Sequence, residues 1–303
     1  MNYNNKYISL SYLRKLFRNN QNIYKTLKEK YKKSISKKKL IEISYDIQTG
    51  SYISMINKDK VLFRNLWIDR ANVINKYLEP KSTILEIGVG EFTNHCGIVD
   101  LLNKKPKKIY VCDISVSRLI KGIEYQKKNY PLQTSRINPF CSDIKLLPLP
   151  DSSVDLIFST HALEPNKQEI KEILRELFRV AKKRLIFFEP SFKYASKDGK
   201  KRIKENDFIP DLDRYIKDLG GKLIEKFKTK VSTNDLNPTA CYVVEIKKKI
   251  VNKPIYTTPG TNFKLDLKEN FYQCREYGLH YPIFHYVPIF REQFGIFASV
   301  LIK

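Results

Sequence analysis

Between residues 83 and 246 the sequence alternates short apolar runs with longer segments of helical periodicity, and this alternation limits the possible folds most strongly. The apolar runs lack the polar alternation of half-exposed strands, so we expect them to be buried on both faces of a sheet. They cover residues 83–87, 108–112, 138–141, 154–158, 184–188, 223–227 and 241–246. Strands that alternate with helices predict an α/β fold with a doubly wound, mainly parallel seven-stranded sheet.

Segments of a different character flank this region, and they suggest three parts. Residues 1–57 form a lysine-rich extension with helical periodicity. Residues 58–250 contain the α/β domain, which we expect to begin with a helix capped by Asn57 and ending near Leu78. Residues 251–303 carry short aromatic runs separated by prolines, so we predict a small appended β-module.

The net charge of the chain indicates whether nucleic acid or an anionic surface could be a partner. It carries 56 basic and 32 acidic residues, which gives a formal net charge of +24. The basic residues are 43 Lys and 13 Arg, whereas bidentate phosphate recognition usually relies on Arg. We therefore favour a solvated basic surface over a nucleic-acid interface. Nucleic acid stays open as a partner, as does a weak attraction of the basic N-terminus to anionic surfaces.

The sequence also bears on the cellular location. No apolar run approaches the roughly 20 residues that a membrane-spanning helix needs. Residues 1–5 are polar and lack the apolar core of a signal peptide. The five cysteines show no spacing typical of a disulfide framework. We therefore expect a reduced, cytoplasmic protein, and its oligomeric state is not predicted.

The most informative motif is Glu86-Ile87-Gly88-Val89-Gly90-Glu91, which follows the first predicted strand and opens a helix. Such a turn lies at the carboxyl end of a parallel sheet, where ligands bind. Asp113 ends the second strand, where an acid can accept hydrogen bonds from both hydroxyls of an adenosine ribose. A dinucleotide site would need glycine at position 93, which is Thr93, and Glu86 and Glu91 would repel a pyrophosphate. The acids instead favour the cationic S-adenosylmethionine.

These motifs resemble the class I S-adenosylmethionine-dependent methyltransferases over residues 60–250, a family with a Rossmann-like fold. The resemblance extends to Ser142-Asp143-Ile144, to Pro148–Ile157, and to Ser159-Thr160-His161-Ala162-Leu163-Glu164. The third glycine of the family's first motif falls on Phe92 here. The resemblance implies a cofactor site formed by Glu86, Gly88, Gly90, Asp113, Ile114, Ser142, Asp143, Ile144 and Ser159.

Two residues after the fourth strand are candidates for the chemistry. His161 could remove a proton from an acceptor hydroxyl or could simply order its loop, and Glu164 is the second candidate base. The resemblance favours in-line O-methylation of a small molecule or saccharide, as in enzymes found with bacterial surface-polysaccharide genes. Two alternatives stay open, a tRNA or rRNA methyltransferase and a catalytically silent binding or scaffold protein.

The C-terminal segment resembles a zinc ribbon that has lost its metal. The turns at Thr258–Thr261 and Cys274–Gly278 stand where two Cys-x-x-Cys knuckles would lie, but only Cys274 is a cysteine. Tetrahedral zinc needs about four ligands, so we predict no metal. We expect apolar packing against the main domain to replace it, through Phe271, Tyr272, Tyr281, Ile283, Phe284, Ile289 and Phe290.

Overall fold

The centre of the molecule is a seven-stranded sheet in the order β3-β2-β1-β4-β5-β7-β6. The computed structural model describes residues 7–248 and 250–302, so the polar residues 1–5 lie outside it. The strands are β1 (Thr83–Ile87), β2 (Lys108–Asp113), β3 (Ile137–Cys141), β4 (Val154–Thr160), β5 (Ala181–Pro190), β6 (Lys222–Lys228) and β7 (Thr239–Glu245). Strands β1 to β5 pair in parallel, and β7 runs antiparallel to both β5 and β6. The predicted α/β fold is confirmed.

Helices cover both faces of this sheet. They are α5 (Lys60–Tyr77), α6 (Thr93–Asp100), α7 (Val116–Asn129), α8 (Ile170–Val180), α9 (Lys197–Glu205) and α10 (Asp213–Asp218). The Ser115 hydroxyl caps α7 by accepting the Arg118 N–H, as its position after β2 suggests. None of the helices in the described residues is both long and apolar enough to cross a membrane.

Two buried apolar layers hold the helices onto the sheet. Alternate residues of each strand point to opposite faces, so Leu85 and Phe187 enter one layer while Ile84 and Phe188 enter the other. Both faces are covered, and for this reason the inner strands are apolar throughout rather than alternating.

The N-terminal residues form four helices, α1 (Leu10–Arg18), α2 (Ile23–Tyr31), α3 (Lys37–Asp46) and α4 (Ser51–Lys58). The first three share a small core of Leu13, Leu16, Leu27 and Leu40. Gly50 has a φ of +96°, a left-handed conformation that turns the chain between α3 and α4.

The predicted cap of α5 was wrong. Asn57 lies inside α4, and the Asp59 side chain instead accepts the Leu62 N–H at the start of α5. The division proposed at residues 57 and 58 therefore falls within a helix. Helix α8 ends at Val180, because β5 begins at the next residue, Ala181.

The C-terminal residues form an antiparallel module of β8 (Asp266–Leu267), β9 (Phe271–Cys274), β10 (Leu279–Phe284), β11 (Val287–Pro288) and β12 (Ile296–Phe297). It docks on the edge of the main sheet, where the Phe290 N–H donates to the Cys141 carbonyl (2.8 Å). The Phe290 ring lies against Phe140, Tyr256 and Tyr272.

The predicted packing of this module is confirmed for Tyr281, Ile289 and Phe290, which are buried. It is wrong for Phe284, whose side chain is half exposed. The two knuckle-like turns are joined by an edge-to-face contact of Phe263 and Tyr277, with ring centroids 4.9 Å apart. The described residues contain no cluster of three or more potential metal ligands.

Candidate functional site

A cavity of about 520 Å³ opens at the carboxyl ends of β1, β2 and β4. Its volume is typical of sites that enclose a small ligand. The sheet contributes one wall, α3 and α4 cover the opening, and the segment before β7 closes the far end. The cavity therefore combines residues from three distant parts of the chain.

The turn after β1 has a backbone that suits glycine. Gly88 and Gly90 have φ values of +63° and +58°, which side chains disfavour. A Cβ atom on Gly88 would also lie 2.4 Å from the Cβ of Ala162. Phe92, at the position of the family's third glycine, has a φ of +60° as well. Its buried ring packs on Gly122, where a Cβ would lie 2.5 Å from the ring.

Asp113 stands beside this turn at the end of β2. Its Oδ2 accepts the Gly90 N–H and its Oδ1 accepts the Ser115 N–H, both at 2.9 Å. Burial raises the pKa of the Asp113 carboxyl, although the nearby Arg118 opposes this shift. Each carboxylate oxygen can accept a further hydrogen bond, so the residue can still hold a ribose hydroxyl.

Glu86 lines the same cavity but already has a partner. Its Oε2 lies 2.7 Å from Nδ1 of His95, and both side chains are buried. Burial raises the pKa of Glu86, while His95 lowers it. Glu86 therefore fixes the start of α6 and also presents acidic character to the cavity.

The segment after β3 forms the next part of the wall. Asp143 and Ile144 line the cavity together with Ile114. Asp143 forms an ion pair with Lys38 of α3, and burial lowers the pKa of this lysine to about 8. Ser142 also lines the cavity, and its hydroxyl donates to the Phe290 carbonyl (3.0 Å). Ser142 thus links the site to the C-terminal module.

We call α3 and α4 the lid helices, because Tyr45, Tyr52 and Met55 from this region cover the cavity. The buried Glu91 carboxylate connects the lid helices to the turn after β1. Its two oxygens accept the N–H groups of Gly50 (2.8 Å) and Ile53 (3.2 Å) at the start of α4. Glu91, which the sequence placed beside a cationic ligand, is instead the acceptor for the end of a helix.

Arg118 forms a second connection between α7 and the lid helices. Its guanidinium lies 5.0 Å from the ring centroid of Tyr45 and 4.7 Å from that of Tyr52. Its Nε donates to the Tyr45 carbonyl (2.8 Å). The guanidinium of Arg118 lies next to Gly90. A Cβ atom on Gly90 would be 3.6 Å from Nη1 of Arg118.

His161 and Glu164 face the other end of the cavity, which we call the acceptor end. His161 Nε2 lies 2.7 Å from Oγ1 of Thr239. Burial and the charges of Arg70 and Arg202 lower the pKa of His161 to about 3, so its ring is neutral. Glu164 Oε2 accepts a hydrogen bond from Nδ2 of Asn237 (2.9 Å), and burial raises the pKa of Glu164.

Three buried polar atoms at the acceptor end have no hydrogen-bond partner among the described residues. They are Nε of Arg70, Oγ1 of Thr160 and Oδ1 of Asn237, and all three residues line the cavity. A buried polar group without a partner is unfavourable by about 1–3 kcal/mol. These atoms offer a charged donor, a hydroxyl and an acceptor to a ligand.

Ser159 was expected in the cofactor site, but it is not among the described residues that line the cavity. Its side chain is buried and donates to Oε1 of Glu189 (2.6 Å). Alternation along β4 explains this position, because neighbouring residues point to opposite faces of the sheet. Thr160, the next residue, lines the cavity instead.

Other lining residues were missed by the sequence analysis: Lys38, Tyr45, Tyr52, Arg70, Arg118, Asn237 and Thr239. They lie on five separate elements and in the segment before β7, and they form no motif. Tyr45 and Tyr52 lie within the extension that the sequence predicts to be helical, and helical periodicity says nothing about what a helix covers.

Comparison with known proteins agrees with this geometry. Residues 85–188 match the family model described as a methyltransferase domain. No sequence among the curated proteins is a significant match. The core of the chain is therefore similar to a methyltransferase domain.

Solved structures of low sequence identity share the fold. Magnesium protoporphyrin IX methyltransferase from Synechocystis PCC 6803, with bound S-adenosylhomocysteine, has a TM-score of 0.50 at 11% identity and covers 68% of this chain and 99% of its own. A chain of the complex between the Haloferax volcanii Trm112 methyltransferase activator and a methyltransferase has a TM-score of 0.51 at 15% identity, covering 67% and 98%. A methyltransferase from Aquifex aeolicus scores 0.48 at 20% identity, covering 64% and 97%.

Proposed function

We propose that this protein transfers the methyl group of S-adenosylmethionine to a hydroxyl group of a polar small molecule, with a saccharide as the preferred class. The unpartnered atoms of Arg70, Thr160 and Asn237 at the acceptor end carry this proposal. A polyhydroxylated ligand can pair with donors and acceptors together, because each hydroxyl is both. An apolar acceptor would leave these groups buried without partners.

The residues around the glycine turn fit the methyl donor. Gly88 and Gly90 allow close approach of a ligand, Asp113 would hold the ribose, and Asp143 with Ile144 would meet the adenine. The bound donor supplies a methyl group on a cationic sulfur, and the acidic side chains Glu86 and Asp113 suit that charge. Tyr45 and Tyr52 of the lid helices would exclude water from this end.

The acceptor oxygen must lose its proton as it gains the methyl group. Glu164 is the better base of the two candidates, because burial raises its pKa whereas the pKa of His161 falls to about 3. The neutral His161 ring can instead orient the acceptor by hydrogen bonding. Asn237, which donates to Glu164, keeps the carboxylate aimed into the cavity.

The test is methyl transfer from radiolabelled S-adenosylmethionine to a panel of monosaccharides, nucleotide sugars, aliphatic alcohols and transcribed tRNA. We expect labelling of a polyhydroxylated acceptor, with mass spectrometry placing the methyl group on oxygen. Glu164→Gln should lower kcat about 100-fold or more, while Glu172→Gln, an exposed carboxylate on α8, should leave it unchanged. Labelling confined to apolar alcohols, or full activity of Glu164→Gln, would contradict the assignment.

A second candidate, methylation of tRNA or rRNA, is favoured by the basic residues of α1 to α3 and by Lys37 and Lys38 at the cavity. Binding through phosphates weakens steeply with salt, because each neutralised phosphate releases counterions. Nanomolar RNA binding at physiological salt with a steep salt dependence would favour this candidate. Weak binding that vanishes at that salt concentration would favour the saccharide.

A further inference from the structure

Glu189 at the end of β5 is a buried carboxylate that the proposed reaction does not use. It is only 2% exposed and is not among the described residues that line the cavity. Its Oε1 accepts hydrogen bonds from the Ser159 hydroxyl (2.6 Å) and the Ala162 N–H (3.0 Å). Its Oε2 accepts the Leu163 N–H (3.1 Å). Three donors from one short segment therefore converge on one side chain.

That segment, residues 159–163, is the end of β4 and the turn after it, and we call it the β4 turn. Its backbone is unusual, because His161 has a φ of +55°, a left-handed conformation that residues with a Cβ atom rarely adopt. The His161 N–H donates to the Phe188 carbonyl (2.9 Å), one residue before Glu189. The end of β5 thus holds the β4 turn from two directions.

The β4 turn lies between the glycine turn after β1 and the acceptor end of the cavity. On one side Ala162 contacts Gly88 so closely that a Cβ on the glycine would be 2.4 Å away. On the other side Thr160 and His161 face the acceptor end, and Glu164 follows directly. A shift of this turn would move the acceptor groups relative to the methyl donor.

We propose that Glu189 is a positioning residue that holds the β4 turn and so sets the alignment of His161 and Glu164 with the methyl donor. This inference rests on the proposed function, since alignment matters only if the acceptor binds beside His161 and Glu164. Methyl transfer depends strongly on the approach of the two reacting atoms, and a displacement of about 1 Å can lower a rate 100-fold. An ionised carboxylate can satisfy three donors at once, whereas an amide cannot. Burial raises the pKa of Glu189 to about 8, so the variants are compared at pH 9, where the wild-type side chain is ionised.

The test compares Glu189→Gln with Glu176→Gln as a matched control. Glu176 is also a buried carboxylate that accepts a backbone N–H, from Leu147 (2.6 Å), and like Glu189 it is not among the described residues that line the cavity. It differs in its partners, because it pairs with Arg179 and makes no hydrogen bond to the β4 turn. The chain has four histidines, so ¹⁵N-histidine labelling gives a spectrum in which His161 can be assigned through a His161→Gln variant. This spectroscopic arm needs no acceptor.

Glu189→Gln should shift the ring resonances of His161 and lower kcat about tenfold or more, while the affinity for S-adenosylhomocysteine stays within about threefold. Glu176→Gln should leave the His161 resonances and kcat as in the wild type. Unchanged His161 resonances in folded Glu189→Gln, or a kcat no lower than that of Glu176→Gln, would overturn the proposal.

Ser159→Ala keeps the test decisive if Glu189→Gln does not fold. It removes one of the three donors, and it should shift the His161 resonances in the same direction by a smaller amount. No shift in this variant would also overturn the proposal. If no hydroxylated acceptor is found, the proposed function fails by itself, and the His161 spectra still decide whether Glu189 positions the turn.

Discussion

Glu91→Gln should weaken cofactor binding although the side chain does not line the cavity. The wild-type carboxylate accepts the N–H groups of Gly50 and Ile53 and is fully buried. Glutamine is nearly isosteric, but it has one acceptor oxygen and no charge, so one N–H group loses its partner. Hydrogen bonds to charged groups contribute about 1.5–3 kcal/mol each. We therefore expect the closed position of the lid helices to lose about 2 kcal/mol.

A loss of this size has a calculable effect on binding. It lowers the equilibrium constant for closing the lid about 30-fold, and the apparent Kd rises as the fraction of closed protein falls. We expect a Kd for S-adenosylhomocysteine up to about 30-fold higher in Glu91→Gln, measured by titration calorimetry. Hydrogen exchange of α4 should become faster, while exchange of the central strands should not change.

Asp59→Ala is the matched control, because Asp59 also accepts an N–H group at a helix start, that of Leu62 (2.9 Å). The side chain is exposed and lies outside the cavity lining. This variant should lose about 1 kcal/mol of stability and keep the wild-type Kd. If α4 of Glu91→Gln exchanges faster but its Kd equals that of the wild type, the lid helices do not contribute to cofactor binding.

Three further predictions concern the cofactor site, two buried titratable groups and the C-terminal module. Asp113→Ala should weaken S-adenosylhomocysteine binding by about 2 kcal/mol in calorimetry, since the ribose loses a charged acceptor; equal affinity would remove Asp113 from the site. Two buried groups should make thermal stability depend on pH in opposite directions. The contribution of His161 (folded pKa about 3) should rise between pH 3 and 6.5, because the folded chain binds fewer protons there than the unfolded chain, and that of Glu189 (folded pKa about 8) should fall between pH 4.5 and 8, because the folded chain binds more. Stability should therefore rise from pH 3 to 4.5 and fall from pH 6.5 to 8, while the two contributions oppose each other in between. Glu189→Gln should flatten the fall between pH 6.5 and 8, and an unchanged pH profile would contradict that assignment. Phe290→Ala should cost about 3–5 kcal/mol in urea unfolding, because the buried ring holds the C-terminal module on β3; a loss below 1 kcal/mol would show that the module is held elsewhere.

The central sheet could be predicted because its signal is local. Each inner strand is an apolar run, and the predicted bounds of β1 are those of the structure. The glycine turn and Asp113 follow from position alone, since the carboxyl ends of parallel strands share one edge. The helix starts were less certain because Asn57 and Asp59 are both good capping residues, and only the backbone break at Asp59 distinguishes them.

The rest of the site depends on contacts between residues far apart in the sequence. The hydrogen bond between Gly50 and Glu91 spans 41 residues, and the one between Glu164 and Asn237 spans 73. Neither leaves a periodicity or a motif in the sequence. The sequence therefore suggested that the lysine-rich extension is a separate part of the chain, although its lid helices cover the cavity. Ser159 and Thr160 are adjacent in the sequence, and only the orientation of β4 decides which of them faces the cavity.

A crystal structure of the full chain with S-adenosylhomocysteine tests the site most directly. The ligand should lie between the Gly88–Gly90 turn and the lid helices, with its ribose hydroxyls on Asp113 and its adenine edge at Asp143 and Ile144. Its sulfur should point toward the acceptor end, where His161 and Glu164 lie. A ligand bound outside this cavity, or bound in it with Tyr45 and Tyr52 displaced from the opening, would contradict the assignment of the site and of its lid.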